Sequence, residues 1–147
     1  MKYSPYEIFV QEQWSSRREA KKKFVGYFRG EPIYADENDG KEELRDKFIM
    51  TTGLAGETGE VVELLKKEVR DGKLDTQELA LELGDVLYYL TMIANRNGFT
   101  LEQLQRRNVH KLELRNKLGK KNAKEVIDKY TEEYWRTIDG SENEREA

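Results

Sequence analysis

The stretch GLAGETGEVVELLKK, residues 53–67, has the apolar spacing of an amphipathic helix but carries two acids in an unusual place. Its apolar residues recur at helical intervals and form one stripe: Leu54, Val61, Leu64 and Leu65. Glu57 lies in the middle of this stripe and Glu60 at its border. A helix normally turns glutamate toward water, because burying an unpaired carboxylate costs free energy. The stretch therefore predicts a helix that directs acids at the core of its own protein.

A second acidic pair occurs in LELGDVLYYL, residues 81–90. Glu82 and Asp85 are three residues apart, so they share one face of a predicted helix that is apolar nearly all round. A short turn joins this helix to the first acidic helix, and the two are expected to pack antiparallel. The pairs Glu57/Glu60 and Glu82/Asp85 then converge across the interface.

Four carboxylates in apolar surroundings cannot all stay ionised unless cations lie between them. Oxygen ligands select hard cations, Mg²⁺ first and Mn²⁺ next, and Mg²⁺ often completes its coordination with substrate phosphates. The residues thus point to a metal–phosphate site. The alternative is that these acids form solvated faces or ordinary ion pairs. One ExxE pair alone favours that alternative, whereas two pairs on neighbouring apolar faces leave both interpretations open.

The remaining pattern is also helical and predicts an all-α bundle of four or five helices. Ser4, Pro5 and Glu7 have the spacing of a capping box that opens the first helix. Asp75 or Thr76 is expected to cap the helix of the second acidic pair. The predicted segments are a helix to about 23, a long loop over 26–40, and helices over 41–70, 75–98, 101–118 and 123–135. Gly53 and Gly56 mark a point where the helix over 41–70 can break.

Composition excludes several classes of protein. The 147 residues contain no cysteine, one histidine and a formal net charge of -3, so neither a disulfide framework, a thiolate site nor a basic nucleic-acid surface is expected. No apolar run predicts a signal peptide or a membrane span, which favours a cytoplasmic protein. We expect a single domain over 1–147, with a core over about 41–118 and a disordered tail over about 136–147.

Taken together, the motifs closely resemble the MazG-like nucleotide pyrophosphohydrolases of the all-α NTP pyrophosphatase superfamily. The resemblance covers about 50–115 and rests on ordered motifs: Glu57-x-x-Glu60, Glu82-x-x-Asp85 and Asn108-x-x-Lys111-Leu112. Tyr88 departs from the family, since many relatives have tryptophan there. The loop over 26–40 is not a recognisable family element.

The resemblance implies a Mg²⁺-dependent enzyme, with Mn²⁺ as a possible substitute, that cleaves nucleoside triphosphates to monophosphate and pyrophosphate. It implies a role in cleansing the nucleotide pool, and a homodimer or homotetramer with sites completed across subunits. No stable binding of nucleic acid or membrane is expected. The alternative is an inactive helical module that binds nucleotides or a protein partner. A di-iron bundle is excluded, because the residue three before His110 is Arg107 rather than glutamate.

The resemblance also implies residue roles. All four acids are candidate metal ligands and catalytic groups, and either Glu57 or Glu60 is a candidate general base. Candidate phosphate-binding residues follow on the next helix: Asn108, Lys111 and Arg115. Trp14 and Tyr89 are candidates for stacking on the base, although packing in the core is the more common use of aromatic residues at helical spacing.

Overall fold

A computed structural model describes residues 2–22, 27–28, 31–32 and 41–140, with side chains described for 2–15 and 45–140. Helices dominate the described chain, which confirms the predicted all-α class. They are α1 (Pro5–Lys22), α2 (Lys41–Asp71), α3 (Thr76–Arg96), α4 (Leu101–Leu118), α5 (Lys120–Ile127) and α6 (Glu132–Asp139). None of the described helices combines the length and the apolar character that crossing a membrane requires.

The α2/α3 pair is the central element of the fold, and its two helices run antiparallel as predicted. Gly72 and Asp75 bound the turn between them, and the Asp75 side chain accepts hydrogen bonds from the first amides of α3. At the far end of the pair, Arg96 donates to Asp46 at 2.7 Å. Contacts between the two helices therefore pair residues of increasing number on α2 with residues of decreasing number on α3.

A small apolar core lies where α1 packs against this pair. The fully or largely buried side chains in it are Val10, Trp14, Met50 and Met92, and Ile49, Tyr88, Tyr89 and Ile93 pack around them. α1 contributes two of the four central residues and contacts mainly α3. α1 thereby covers one side of the α2/α3 pair.

Glu7 connects three helices through one buried carboxylate that is 2% exposed. It forms the predicted capping box, because Glu7 accepts from the Ser4 amide at 2.8 Å and donates its own amide to Ser4 Oγ at 3.3 Å. Its other oxygen accepts from the amide of Leu101, the first residue of α4, at 2.8 Å. The hydrogen-bonding groups around Asn95 of α3 determine the orientation of its side-chain amide. In that orientation the amide nitrogen also donates to Glu7. One side chain thus holds α1, α3 and α4 together.

The C-terminal helices pack on α4. Arg107 forms a two-pronged ion pair with Asp139 at 2.8 and 2.6 Å, and its guanidinium lies over the rings of Phe99 and Trp135. The Asp139 side chain is 4% exposed. His110, on the next turn of α4, shares a 2.9 Å hydrogen bond with the Tyr130 hydroxyl.

The structure removes the possible break in the helix over 41–70 and divides the helix predicted over 123–135. α2 continues without a break through Gly53 and Gly56, because its long contact with α3 outweighs the cost of about 1 kcal/mol for each interior glycine. The helix predicted over 123–135 is divided into α5 and α6. Thr131 accepts from the Tyr134 amide and starts a new helix there.

The ends and the long loop also differ from expectation where they are described. Within the loop, β1 (Tyr27–Phe28) pairs antiparallel with β2 (Glu31–Pro32), and the rest of 26–40 lies outside the described residues. α6 reaches Asp139, so residues 136–139 are helical rather than part of the expected disordered tail. Residues 141–147 lie outside the described residues.

We predict that Glu7→Gln lowers the free energy of unfolding by roughly 1.5–3 kcal/mol at pH 7, because charge-assisted hydrogen bonds are lost in a buried place. Burial opposes the charged form of Glu7, but hydrogen bonds from Ser4 and Leu101 outweigh this and hold the pKa of Glu7 below its ordinary value of 4.5. Its contribution is therefore complete above that value and is lost as the pH falls through the lower folded-state pKa. Urea unfolding at pH 7 and at decreasing pH measures both effects.

Glu113→Gln is the control for Glu7→Gln, since Glu113 is an exposed glutamate on α4. It is expected to change stability by no more than about 0.5 kcal/mol. The difference in free energy of unfolding between wild type and Glu7→Gln should become smaller as the pH falls. If this difference stayed constant from pH 7 to pH 3, it would contradict the claim that Glu7 is ionised and caps the helix.

Candidate active site

Three carboxylates meet at the α2/α3 interface. One oxygen from each of Glu57, Glu82 and Asp85 lies within 4.8 Å of the other two. Glu57 and Glu82 are half-buried and Asp85 is exposed, so the cluster opens to solvent on one side. The convergence predicted from the antiparallel pairing of the acidic helices is therefore present for three of the four acids.

Glu60 lies one turn further along α2, is exposed, and stands outside this group of three. It is still close enough to act on the cluster electrostatically. Partial burial raises the pKa of Glu82 above its ordinary value, and the negative charges of Glu57, Glu60 and Asp85 raise it further. The cluster is thus an environment in which a carboxylate resists ionisation and a cation is favoured.

Tyr6 of α1 lies within the electrostatic influence of the cluster, which was not predicted from the sequence. Burial raises the pKa of the Tyr6 hydroxyl, and the charge of Asp85 adds to that shift. Tyr6 belongs to none of the acidic or phosphate-binding motifs, and the packing of α1 on α3 brings it near enough for the charge of Asp85 to act on its hydroxyl. Glu78, one turn before Glu82, likewise adds negative charge beside the cluster.

Tyr89, a candidate for stacking on the base, is half-buried and packs against the core around Met92. Its ring lies directly on the α2 backbone at Gly53, where an added Cβ would come within 2.5 Å of the ring carbon Cζ. Tyr88 meets the same ring edge-on, with 5.3 Å between ring centroids. Position 53 therefore requires glycine, because a side chain there would clash with the ring of Tyr89. The ring itself serves to pack α3 against α2.

Trp14, the other candidate, belongs to the same core and is 9% exposed. Its indole Nε1 donates to Asp46 at 3.5 Å. It also lines a pocket of about 200 Å³ together with Met92 and Arg96. Met92 lies about 10 Å along α3 from Asp85. Contact of Trp14 or Tyr89 with a base stays a prediction, since the structure accounts for both rings by packing.

The three predicted phosphate-binding residues share one face of α4. Asn108 and Arg115 are exposed and Lys111 is half-buried. α4 packs chiefly on α5 and α6 and touches α3 to a lesser extent. No contact between these side chains and the carboxylate cluster is apparent in the described part of the chain, and within that part neither Lys111 nor Arg115 forms an ion pair. Their positive charges remain available to an anion.

The donor set fits a hard divalent cation. Its oxygens come only from carboxylates, its members lie close enough to share one ion, and their repulsion disfavours ionisation of Glu82 when no cation offsets it. Glu57, Glu82 and Asp85 would hold such an ion, with Glu60 beside them.

Comparison with known proteins places the site-bearing helices within a known family. Residues 45–119 match the MazG nucleotide pyrophosphohydrolase domain. The Gene 37 protein of Mycobacterium phage L5 is 40% identical over 75 residues, which are 48% of this chain and 66% of that protein. The chain therefore covers slightly less than two thirds of this relative, whose name states no activity. No solved structure shows significant similarity to the chain.

The match spans about half of the chain, from the start of α2 to the end of α4, and contains all four acids and the α4 residues. The chain thus belongs to the family of MazG nucleotide pyrophosphohydrolase domains. The predicted family membership and the all-helical fold are both confirmed.

We predict that Gly53→Ala destabilises the protein by about 1–3 kcal/mol, because the new methyl group clashes with the ring of Tyr89. Gly56→Ala, one turn away with open space before it, is the control and should stabilise the helix by about 0.5–1 kcal/mol. Urea unfolding in the presence of a chelator compares the two variants. Adding Tyr89→Leu to Gly53→Ala should recover part of the loss. Equal stabilisation by both alanines would show that Tyr89 does not lie on α2.

Proposed function

We propose that this chain is a Mg²⁺-dependent pyrophosphohydrolase that converts nucleoside triphosphates, ribo- or deoxyribo-, to the monophosphate and pyrophosphate. The observation that carries the proposal is the convergence of Glu57, Glu82 and Asp85 within a MazG-family domain. Cleansing of the nucleotide pool is the proposed cellular role, and the expected cytoplasmic location stays a prediction.

In this proposal Glu57, Glu82 and Asp85 hold Mg²⁺, or Mn²⁺ in its place. The bound cation would offset phosphate charge and activate water as a nucleophile. Glu60 is the acid best placed to accept the proton of the attacking water, since it is exposed and stands beside the cluster without belonging to it. Glu57 remains the other candidate for that role.

Lys111 and Arg115 are proposed to meet the phosphates, and Asn108 to donate a hydrogen bond to the substrate. Support comes from their common face on α4 and from the absence of ion pairs to Lys111 and Arg115 among the described residues. We further propose a homodimer or homotetramer, in which these groups can act on the site of the same chain or of another copy. Trp14 and Tyr89 are proposed to border the base.

The second candidate function is a nucleotide-binding or interaction module without activity. Its only support is that binding and hydrolysis use the same acids. The presence of Glu57, Glu60, Glu82 and Asp85 argues against a degenerate relative, because the full set of acids proposed for hydrolysis is in place.

We predict that incubation with Mg²⁺ and a panel of nucleoside triphosphates yields pyrophosphate and nucleoside monophosphate, because water is added at the α–β linkage. Chromatography of the nucleotides together with a pyrophosphate assay measures both products. A chelator should abolish turnover. Nucleoside diphosphate and inorganic phosphate as the main products would contradict the assignment, and tight binding without turnover of any nucleotide would favour the module.

We predict that Asp85→Asn lowers activity by orders of magnitude, because a charge that stabilises the metal–phosphate complex is removed. Without metal, the variant should melt no lower than wild type, because it relieves repulsion within the cluster. Mg²⁺ should raise the melting temperature of wild type, since a ligand of the folded state stabilises it, and should raise that of the variant less.

Melting curves with chelator and with Mg²⁺ measure these effects, and Glu113→Gln on α4 again serves as the control with a wild-type Mg²⁺ response. If Asp85 were instead part of a structural ion pair, the variant would melt lower without metal and would respond to Mg²⁺ as wild type does. That pattern would refute the metal site.

A further inference from the structure

Positive charge is concentrated where α4 ends and α5 begins. Residues 106–129 contain nine basic and three acidic residues, whereas the rest of the chain contains 17 basic and 26 acidic residues. Within this region, residues 114–124 contain five cations, two asparagines and no acid. The formal net charge of -3 for the whole chain conceals this separation, because most of the acids lie elsewhere. The local surface is therefore basic although the chain as a whole is acidic.

Gly119 forms the corner between the two helices. It has a φ of 78° and connects Leu118 directly to Lys120, so α5 starts without a loop. α5 then returns along α4, because Tyr130, three residues after α5, reaches His110, which lies about 12 Å back along α4 from Leu118. The last turn of α4 and the first turn of α5 thus lie side by side.

Four exposed cations surround this corner without ion pairs: Arg115, Lys117, Lys120 and Lys121. Among the described residues, the ion pairs of this region are formed by neighbouring cations, such as Lys124 with Asp128, and none involves these four. None of the four is therefore needed to offset an acid of the fold. All four are available to an anion.

Helix stability explains only half of this set. Arg115 and Lys117 lie in the last turn of α4, where a cation interacts favourably with the helix dipole. Lys120 and Lys121 lie in the first turn of α5, where the dipole disfavours cations, and no acid in that turn offsets them. Two unpaired lysines in an unfavourable position indicate a binding role, since such conflicts with stability are typical of functional sites.

We propose that the corner formed by Arg115, Lys117, Lys120 and Lys121 binds the phosphate backbone of double-stranded nucleic acid without reading its sequence. Two adjacent helix turns present these cations over roughly 15 Å. One strand of a duplex presents a phosphate about every 3.4 Å along its axis, which gives about four phosphates over that distance. The two exposed asparagines of the same stretch, Asn116 and Asn122, can donate to phosphate or sugar oxygens.

The proposed surface differs from the candidate active site and does not depend on the proposed hydrolysis. Arg115 is the one member that the proposed function also uses, and the three lysines have no part in it. The experiment below therefore changes only lysines.

Other polyanions fit this surface less well. A single strand binds largely by stacking its bases on aromatic side chains, and residues 106–129 contain no phenylalanine, tyrosine or tryptophan. A membrane surface requires apolar side chains that insert beside the cations. Within residues 114–124, Leu118 is the one large apolar residue in the exposed class, at 42%. A duplex needs neither stacking nor insertion, because its phosphates lie on the outside.

Fluorescence anisotropy of a labelled DNA duplex of about 20 base pairs, titrated with the full chain in the presence of a chelator, tests the proposal. The chelator removes the divalent cation that phosphate binding at the carboxylate cluster would require. Wild type should bind, and the logarithm of its association constant should fall with the logarithm of salt concentration with a slope of about -3 to -4. Lys120→Gln/Lys121→Gln should bind at least about tenfold more weakly at low salt and reduce that slope by about two, because two phosphate contacts are lost.

Lys66→Gln/Lys67→Gln is the matched control. It also replaces two adjacent exposed lysines and removes the same charge from the chain, but these residues lie on α2. It should bind the duplex as wild type does. Circular dichroism must show wild-type helicity for both double variants, and Lys117→Gln/Lys121→Gln replaces the first pair if that pair fails to fold.

No binding of the duplex by wild type at 100 µM protein would overturn the proposal. Equal weakening by the two double variants would overturn it as well, because net charge alone would then explain binding. Tighter binding to phosphatidylserine vesicles, or displacement of the duplex by polyglutamate of equal charge, would assign the surface to a membrane or an acidic protein instead. Binding that requires Mg²⁺ would place the duplex at the carboxylate cluster and also refute the proposal. Pyrophosphate release is not measured, so loss of the proposed activity would leave the result unaffected.

Discussion

Three carboxylates held within 4.8 Å of one another repel, and the rest of the fold has to hold them there. The antiparallel contact between α2 and α3 provides that constraint. An ion pair between Asp46 and Arg96 fixes one end of the pair, and the ring of Tyr89 lies against Gly53 about one turn from the cluster. Packing fixes the helices on this side of the acids, so the acids stay close together. Burial raises the pKa of Glu82, and repulsion from the neighbouring acids raises it further.

Two glutamates in this protein show that the surroundings, rather than burial alone, decide what a carboxylate does. Glu7 is almost fully buried, yet its pKa is lowered, because backbone amides of Ser4 and Leu101 donate to it. Glu82 is less buried, yet its pKa is raised, because its partial burial and then the charges of neighbouring acids both disfavour the ionised form. The charge of Glu7 is therefore already stabilised by hydrogen bonds, and Glu7 serves the fold. Within the described part of the chain no hydrogen bond gives Glu82 such compensation, and a cation is the partner that would supply it.

Much of this arrangement could be predicted from local sequence. The helices, the capping box at Ser4 and Glu7, and the facing acidic pairs all follow from residues a few positions apart. The start of α6 also had a local signal, since Thr131 precedes two glutamates and caps the helix, but the helical pattern across it concealed the break. Contacts between distant residues had no such signal. The ring of Tyr89 on Gly53, the second role of Glu7 at Leu101 and the ion pair of Arg107 with Asp139 depend on how helices meet, which periodicity does not encode.

The family match and the remainder of the chain contribute differently to the site. Residues 45–119 contain the acids and the α4 residues, so the chemistry that the family suggests is confined to α2, α3 and α4. α1 lies outside the match, yet it places Tyr6 beside Asp85 and Trp14 in the core that supports α3. Glu7 then ties α1 to the start of α4, the helix that carries Lys111. Substitutions in α1 therefore act on both the wall of the carboxylate cluster and the position of α4, although no acid of the cluster is itself on α1.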